Sequence, residues 1–286
     1  MKSDRRNCDL SFSNLCSWRF LYDTQYAVID NFLVFKFWAG EQLAYMMPVG
    51  SGDLKAILRE LIEDADKEKH NFCMLGVCSN MRADLEAILP GQFTFTENRD
   101  YADYIYLRSD LATLKGKKFQ AKRNHINRFR NTYPDYEYTP ITPDRIQEWL
   151  DLEAEWCQVN NCDQQEGTGN ERRALIYALH NFEALGLTGG ILHVNGKIVA
   201  FTFGLPINHE TFGVHVEKAD TNIDGAYAMI NNEFANHIPE QYIYINREED
   251  LGLEGLRKAK LSYQPVTILE KYMACLNDHP MDIIRW

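Results

Sequence analysis

The sequence predicts a mixed α/β fold (α+β with mixed sheets) in which one type of domain occurs twice, and three observations support this class. In the second half, helical periodicity and strand-like runs follow one another in the order α-α-β-β-β-α-β-α-β. Two of those runs flank Asn195-Gly196, the strongest short signal for a β-hairpin, which indicates an antiparallel meander. The first half shows a weaker echo of this order, α-β-β-β-α-β-α-β-β, so we expect two domains of the same kind.

The second half has the better defined elements. Apolar residues recur at helical spacing in two segments before the meander, and further helical and strand-like segments alternate after it. The expected helices cover 144–158, 171–185, 225–237 and part of 246–265, and the expected strands cover 187–194, 197–206, 210–217, 241–246 and 266–274.

The first half begins with a short segment whose serine and asparagine side chains suit helix caps. A confident helix and several strand-like runs follow it. The expected helices cover 11–18, 53–67 and 81–89, and the expected strands cover 26–30, 31–38, 42–48, 72–78, 92–96 and 101–107.

A basic segment lies between the two halves. Residues 115–130 carry seven basic side chains and no acidic one, in a chain whose net charge is −11. We therefore divide the chain into an N-terminal domain over 1–113, a basic linker helix over 114–133, and a C-terminal domain over 134–286 that carries the site. The net acidity opposes loose binding of nucleic acid by the whole surface, which leaves this segment as the local exception.

The basic segment also has an apolar side. On a helix, Phe119, Ile126 and Phe129 form a stripe that would dock on a core. Three candidates for binding a phosphate-bearing ligand would then fringe the docking surface, namely Lys118, Lys122 and Arg123. The alternative is a solvated linker helix, because charge runs are usually that.

Composition argues against several classes of protein. No apolar run reaches the roughly 18 residues of a membrane helix, and no apolar region follows the basic N-terminus as in a secretory signal. The seven cysteines are scattered without a CxxC motif, which favours free thiols in a reducing compartment over disulfides. The eight histidines lack the HxxxH and HExxH spacings, so we expect no metal site. Together these observations predict a cytoplasmic protein.

The stretch NREEDLGLEGLRKAKLSYQP, residues 246–265, poses a sharper question. Drawn as a helix, it places Lys260 on an apolar stripe with Leu253, Leu256 and Tyr263, while Lys258 points to the opposite side. A lysine aimed inward is costly unless it is paired or lines a polar cavity. Lys260 therefore either extends its ammonium past the core to water or belongs to a functional site.

Three stretches carry a resemblance to a known family, namely LKGKKFQAKRNHINRFRNTYPDYEYTPIT (114–142), HVEKADTNIDGAYAMINNEFA (215–235) and 246–265. Together they resemble a bacterial family grouped with the C-terminal domain of phosphatidylglycerol lysyltransferase. The order β-β-β-α-β-α-β is similar to that of the GCN5-related acyltransferase fold. That fold occurs in tandem in this domain and in the Fem-type peptidyltransferases. The resemblance covers essentially the whole chain and implies two tandem domains of this fold.

The resemblance implies transfer of an acyl or aminoacyl group onto an amine or hydroxyl. The donor would be an aminoacyl-tRNA or an acyl-coenzyme A, with no other cofactor implied. The ligand would lie where the strands over 211–217 and 241–246 part, beside the N-terminus of the next helix. There the sequence departs from simple acetyltransferases, because ADTNIDGAYAM (219–229) has one glycine, Gly225, and no preceding arginine. Asp220 and Asp224 would repel a pyrophosphate, and Asp224 suits a helix cap.

The acidic groups suit a cationic aminoacyl donor better. Glu217, Glu249 and Asp250, near the strand ends, could hold its amino group or accept a proton from the nucleophile, and Lys260 could steady an oxyanion or bind a phosphate. Gly252 and Gly255 would permit close approach to a backbone or ligand. The remaining candidates for donor binding are Asn246, Arg247, Asp224, Gly225 and Tyr263.

Several residues are expected to be structural. Glu248, Glu254 and Arg257 suit surface ion pairs, and His215 suits a packed strand position. Cys157, Trp149 and Trp156 suit the core of a helix.

Three functions stay open from the sequence. The first is an aminoacyl- or acyltransferase whose acceptor is a lipid head group, a peptide or a small amine, with the basic helix contacting tRNA or another phosphate-rich ligand. The second is a coenzyme A-dependent N-acyltransferase with an atypical loop. The third is a non-catalytic binding protein on the same fold, with Lys260 salt-bridged inside the core.

Overall fold

The structure is a computed structural model that describes residues 5–142, 144, 146, 147, 150 and 166–277. Most of the helix predicted over 144–158 lies outside the described residues, together with Cys157, Trp149 and Trp156. The described strands are β1 Gln25–Ile29, β2 Phe32–Ala39, β3 Gln42–Tyr45, β4 Val49–Gly50, β5 Cys73–Cys78, β6 Phe93–Glu97, β7 Asp103–Leu107, β8 Glu137–Pro140, β9 Thr188–Val194, β10 Lys197–Pro206, β11 Thr211–Ala219, β12 Tyr244–Asn246, β13 Thr267–Leu269 and β14 Lys271–Leu276. The described helices are α1 Phe12–Ser17, α2 Arg19–Tyr22, α3 Leu54–Lys67, α4 Ser79–Ile88, α5 Arg108–Thr113, α6 Gln120–Thr132, α7 Glu166–His180, α8 Ala226–His237 and α9 Glu254–Leu261.

The strands form two mixed sheets. The first sheet has the order β1-β2-β3-β5-β14-β6, with β4 also paired to β2, and the second has the order β13-β7-β12-β11-β10-β9-β8. Each sheet includes a parallel pair, β3 with β5 in the first and β11 with β12 in the second. A mixed α/β class is therefore confirmed, and most predicted elements lie within a few residues of the observed ones.

The chain divides into two compact units that are not linear segments. Unit 1 comprises 1–17 and 103–268, and unit 2 comprises 18–102 and 269–286. This differs from the expected division at 113 and 133, because each sheet includes a strand from the other half of the sequence. Strand β7 pairs with β12 in the second sheet, and β14 pairs with both β5 and β6 in the first.

The segment 266–274 was wrongly predicted as one strand. It contains all of β13, which belongs to the second sheet, and the start of β14, which belongs to the first. Glu270 separates the two strands. A run of strand-forming residues indicates extended backbone but not its partner, because register and neighbours depend on contacts far along the chain.

Unit 2 is organised around the amphipathic helix α3. Asp53 caps this helix by accepting a hydrogen bond from the Ala56 amide at 3.1 Å. One face of the helix is buried and consists of Ile57, Leu58, Leu61, Ile62 and Ala65. This is the i, i+3, i+4 spacing that packs a helix on a sheet, and it confirms the predicted helix.

Unit 2 also corrects the expectation of free cysteines. Cys73 and Cys275 form a disulfide between residues separated by 202 positions. They face each other in the antiparallel register of β5 and β14, where directly opposed side chains come close. The sequence could not show this pairing, because it depends on the C-terminal strand joining the first sheet.

Unit 1 carries the basic segment on its core. A single 3₁₀ turn and helix α6 replace the continuous helix that the sequence predicts. Phe119, Ile126 and Phe129 are buried and pack with Met229 and Ile230 of α8. The predicted docking stripe is confirmed, so the basic side chains lie at the border of a hydrophobic core. No described helix is long and apolar enough to cross a membrane.

The contact between α6 and the start of α8 is unusually close. Gly225 has a φ of +86°, and a Cβ there would lie 2.6 Å from the main-chain oxygen of His125. Asp224 makes no capping bond at this terminus, contrary to prediction. Its carboxylate instead pairs with Arg128 at 2.5 Å and His125 at 3.3 Å on α6. The close approach at Gly225 and the exposed ion pairs of Asp224 thus hold the two helices together.

Replacing Gly225 by alanine should destabilise the fold by about 2–4 kcal/mol, since a left-handed φ and a main-chain clash act together. Gly255→Ala provides the matched control, because no atom lies within 4 Å of the added Cβ. That control should be neutral or stabilising by up to about 1 kcal/mol. The urea midpoint measures the stability of both variants, and equal midpoints would contradict a role for the close contact at Gly225.

Candidate functional site

The candidate site begins where two parallel strands part. Strand β12 pairs with β11 through three positions, the last being Gly213 with Asn246, and then ends. Strand β11 continues to Ala219 and pairs with β10 on its other side. A register shift opposite Phe203 and Gly204 leaves His215 as the extra residue of a β-bulge. Such bulges re-aim side chains, and here the bulge lies directly beside the parting strands.

Lys260 holds the segment that follows β12. Its side chain is buried, with 8% of the residue exposed, and Nζ donates to the main-chain oxygens of Arg247 and Glu249, both at 2.5 Å. Burial and the nearby Arg247 charge lower the pKa of Lys260 below its usual value. The inward direction predicted for Lys260 is confirmed. Its two bonds go to main-chain carbonyls, and neither is the salt bridge expected for a non-catalytic protein.

The apolar stripe predicted around Lys260 is only partly right. Tyr263 is buried, but Leu253 and Leu256 are 59% and 38% exposed. The helix α9 is short, and Lys260 is its one buried residue. The helix therefore directs Lys260 inward while its other residues are exposed or intermediate, and Lys258 is exposed as predicted.

The two glycines near α9 act differently from the prediction of close approach. Gly252 has a φ of +74°, so glycine suits the left-handed turn before the helix. Gly255 has no neighbouring atom within 4 Å. Within the part of the chain that the structure describes, neither glycine is seen to permit a close approach of α9 to another backbone segment.

The three residues Arg247, Glu217 and Asn231 form a polar bridge across the parted strands. Arg247 Nη2 donates to Glu217 Oε1 at 2.7 Å, and Asn231 Nδ2 donates to Glu217 Oε2 at 3.0 Å. The side chains of the ion pair are only 11% and 12% exposed. Both oxygens of Glu217 therefore have a donor, and the pair is shielded from solvent screening.

Two cations lie against the Tyr263 ring beside this bridge. Lys122 Nζ is 4.0 Å from the ring centroid and the Arg247 guanidinium carbon is 4.8 Å from it. Burial, reinforced by the Arg247 charge and opposed by Glu217, lowers the pKa of Lys122 to about 8. The predicted residues Lys122, Arg247, Glu217 and Tyr263 thus come together, although they are far apart in sequence.

Asp250 forms a buried network with Arg257. Arg257 binds both carboxylate oxygens at 2.9 and 2.8 Å, and Tyr104 and the Gly252 amide donate to the same group. The Arg257 bonds, then those of Tyr104 and Gly252, hold the pKa of Asp250 well below its usual range. The expectation that Arg257 makes a surface ion pair is wrong, because its partner is fully buried. A carboxylate held this way is poorly suited to accept a proton.

The bulged residue His215 lies between a carboxylate and a hydroxyl. Its Nδ1 is 2.6 Å from Glu248 Oε1 and its Nε2 is 3.2 Å from Ser11 Oγ. Ser11 is buried, and its Oγ also accepts the Asn14 amide hydrogen at the start of α1. A hydroxyl, an imidazole and a carboxylate in this order resemble a catalytic nucleophile with its base. The Ser11 hydroxyl, however, is buried and caps α1, so we interpret these three side chains as structural. Glu248 is also not the surface ion pair that we expected.

Asn246 and Glu249 belong to a neighbouring polar cluster. Asn246 is fully buried and donates to Asp103 Oδ2 at 2.8 Å and to the Arg6 main-chain oxygen at 2.7 Å. Cys8 Sγ lies 3.2 Å from Asp103 and 3.5 Å from Glu249. The donor atoms of Cys8, Asp103 and Glu249 lie within 4.8 Å of one another, a spacing that a metal ion could use. Their observed contacts, however, are hydrogen bonds that join the N-terminal segment to β7.

Two basic candidates have local partners. Lys118 pairs with Asp110 at 2.8 Å, and Arg123 donates to the main-chain oxygens of Leu114 and Gly116. Arg123 thereby satisfies carbonyls at the turn before α6. These contacts hold the segment that carries Lys122.

Sequence reasoning missed the polar side chains that complete the site. Asn231 and Asn232 are buried on α8, and Asn232 donates to the Leu111 and Ala112 main-chain oxygens. The available signal was a pair of amides inside an apolar helical segment, since buried polar groups need partners. Tyr104 gave a weaker signal, because an aromatic residue in a strand usually indicates packing alone.

Replacing Lys260 by methionine should lower the free energy of unfolding by about 2–4 kcal/mol, because two carbonyls lose their ammonium donor. Lys258→Met is the matched control, since Lys258 is exposed on the same helix. It should change stability by less than about 0.5 kcal/mol. Chemical denaturation compares the free energies of unfolding of the two variants. A Lys260→Met protein as stable as the wild type would contradict the stabilising role of the Lys260 ammonium.

Asp250→Asn should remove an acid-sensitive part of the stability, roughly 2–4 kcal/mol at neutral pH. The folded pKa of Asp250 is lowered, so its contribution is present above the unfolded value near 4 and is lost as pH falls below it. Stability measured from pH 7 to pH 3 should therefore fall less in the variant than in the wild type. Asp224→Asn, which alters an exposed pair, should leave the wild-type slope nearly unchanged.

Comparison with solved structures places this geometry among related folds. A crystal structure of a conserved protein from Bacteroides thetaiotaomicron is 94% identical, with a TM-score of 0.93, covering 96% of this chain and 93% of that chain. The C-terminal domain of a protein described as a lysylphosphatidylglycerol synthetase from Agrobacterium fabrum is 14% identical, with a TM-score of 0.70. That match covers 96% of this chain and 88% of the other, and it shows the same fold, as the sequence predicted.

Among curated sequences, an uncharacterised protein of Mycoplasmoides gallisepticum is 26% identical over 175 residues. The aligned region is 60% of this chain and 55% of that protein, so the match spans about half of the relative. The family model described as phosphatidylglycerol lysyltransferase, C-terminal, matches residues 1–275. The chain therefore belongs to the family of the C-terminal domain of phosphatidylglycerol lysyltransferase, as its resemblance predicted.

Proposed function

We propose that this protein transfers an aminoacyl or acyl group to an amine or hydroxyl, at the site where β11 and β12 part. The observation that carries the proposal is the shielded charged bridge of Arg247, Glu217 and Asn231 at that point. Charged groups are costly to bury, and an enzyme site is one place where that cost has a use. The family match supports the reaction class.

The preferred donor is an aminoacyl-tRNA. Its ester carbonyl would be attacked by the acceptor, the new bond would form as the tRNA hydroxyl leaves, and one proton would pass from the acceptor to that hydroxyl. Glu217 would orient the cationic amino group of the donor, and Lys260 would present its remaining N–H to the developing oxyanion. The basic segment 115–130 would contact the tRNA backbone, and such a donor places the reaction in the cytoplasm.

An acyl-coenzyme A donor is the weaker alternative. A pyrophosphate would need the N-terminus of α8, where amides point outward. That terminus is packed against the His125 main chain at Gly225, and the Asp224 carboxylate lies beside it. Both features oppose an anion there. The acceptor class proposed is a lipid head group such as phosphatidylglycerol, with a peptide or small amine as the other candidates.

Glu217→Gln should reduce transfer by about 100-fold, because it keeps the side-chain shape but loses the charge that orients the donor. The assay follows the aminoacyl group from a panel of charged tRNAs to phosphatidylglycerol micelles, peptides or amines. Glu254→Gln, at an exposed residue of α9, is the control and should retain full activity.

Binding of the donor can be measured without turnover. A donor at 100 times its Kd should stabilise the wild type by about 2.7 kcal/mol, which appears as a raised unfolding midpoint. A wild-type protein that transfers no group and gains no stability from any donor would overturn the proposal in favour of a non-catalytic binding protein.

A further inference from the structure

The two cations against Tyr263 form a cluster to which the transfer reaction described above assigns no particular ligand group. Lys122 arrives from α6 and Arg247 from the segment after β12, so two separate elements aim a positive charge at one aromatic ring. Tyr263 is itself buried at 6% exposure. Lys122 is intermediate in exposure, so part of its side chain meets solvent.

The charges of this cluster do not balance. Glu217 is the single carboxylate among the described side chains that binds Arg247, and Lys122 has no ion pair among the described residues. Two cations therefore share one anion in a shielded place. The lowered pKa of Lys122 is the consequence, because burial and Arg247 both disfavour a second charge. A bound anion would restore the balance.

Arg247 also has a donor without an acceptor. Its Nη2 is used by Glu217, whereas Nη1 is buried and has no hydrogen-bond partner among the described residues. Asn231 Oδ1, on the far side of Glu217, is likewise buried without a partner among them. A buried guanidinium nitrogen without an acceptor is costly, about 1–3 kcal/mol or more for a charged group. It marks the position at which an acceptor oxygen of a ligand fits.

We propose that Arg247 Nη1 and Lys122 Nζ bind one phosphate group of a substrate. This inference rests on the proposed function only in calling the ligand a substrate. Binding of a phosphate group at this place does not itself require group transfer. Guanidinium and ammonium groups together suit phosphate, because one offers a directed donor and the other a mobile point charge. Glu217 fixes the guanidinium so that Nη1 stays directed at the ligand, and Tyr263 holds both cations in place.

Anion binding should depend on the charge of Lys122. The charged and titratable groups that face it are Arg247, Glu217 and Tyr263, from three different elements. With a pKa of about 8, Lys122 is mostly charged at pH 7 and mostly neutral at pH 9.5. Phosphate affinity should therefore fall by about 30-fold over that range, since protonation must then accompany binding.

The test is calorimetric titration of the full chain with inorganic phosphate, sn-glycerol 3-phosphate and adenosine 5′-monophosphate at pH 7. Lys122→Met should weaken the binding of each by about 10-fold or more, the loss of one charge-assisted contact. Lys258→Met removes an exposed lysine of α9 that lies outside the cluster, and it should change affinity less than about 2-fold. Arg247→Lys should also weaken binding, because one amine cannot serve both Glu217 and the ligand.

The three probes separate the possible sources of the phosphate. Tighter binding of glycerol 3-phosphate supports a lipid head group, tighter binding of the nucleotide supports a tRNA end or coenzyme A, and equal binding supports the subsite without a source preference. Equal losses in Lys122→Met and Lys258→Met would overturn the subsite, as would no binding of any probe at millimolar concentration. Acetate is titrated as a carboxylate comparison, and tighter binding of acetate than of phosphate would overturn the choice of phosphate. Binding without transfer activity would overturn the proposed function and leave the subsite standing.

Discussion

The site depends on the buried ammonium of Lys260. It is bonded to the main-chain oxygens of Arg247 and Glu249, and so it fixes the backbone on both sides of Glu248. Glu248 has a φ of +57°, a conformation that non-glycine residues adopt only when their surroundings impose it. With the backbone held there, Arg247 reaches Glu217 on β11 and Glu248 reaches His215.

The ends of this segment are fixed by equally specific contacts. Asn246 is bonded to Asp103 and Arg6 at its start, and Asp250 is bonded to Arg257 and Tyr104 at its end. Asn246 and Asp250 thus both have partners, which is the condition under which buried polar and charged groups are tolerated. The parted strands therefore present a rigid rim. A rigid rim lowers the ordering cost of binding a flexible donor.

The polarity of the site is mixed rather than uniformly acidic. The chain carries a net charge of −11, and an acidic surface disfavours general contact with phosphates. The basic segment and Arg247 supply cations locally, while Asp224 occupies the helix terminus where an anion would otherwise bind. Under the function that we propose, this protein would thus bind the phosphate-bearing and amino-bearing parts of a donor at different positions.

The sequence by itself determined the class of fold, most element positions, the docking stripe of the basic segment and the inward direction of Lys260. These features follow from local periodicity, which reports the face of a helix or strand that is buried. It also named Lys122 as a binding candidate from the charge of the basic segment, and Glu217, Arg247 and Tyr263 as site candidates through a family resemblance.

The tertiary structure alone decided which of these side chains meet and what Lys260 binds. It also decided that β7 and β14 join sheets in the other half of the chain, which pairs Cys73 with Cys275. The partners of β7 and β14 lie far along the chain, and local patterns carry no information about such pairings. Arg257 is only seven residues from Asp250, but Asp250 is buried beside Tyr104, which is distant in sequence, so the expected surface ion pair has a fully buried carboxylate.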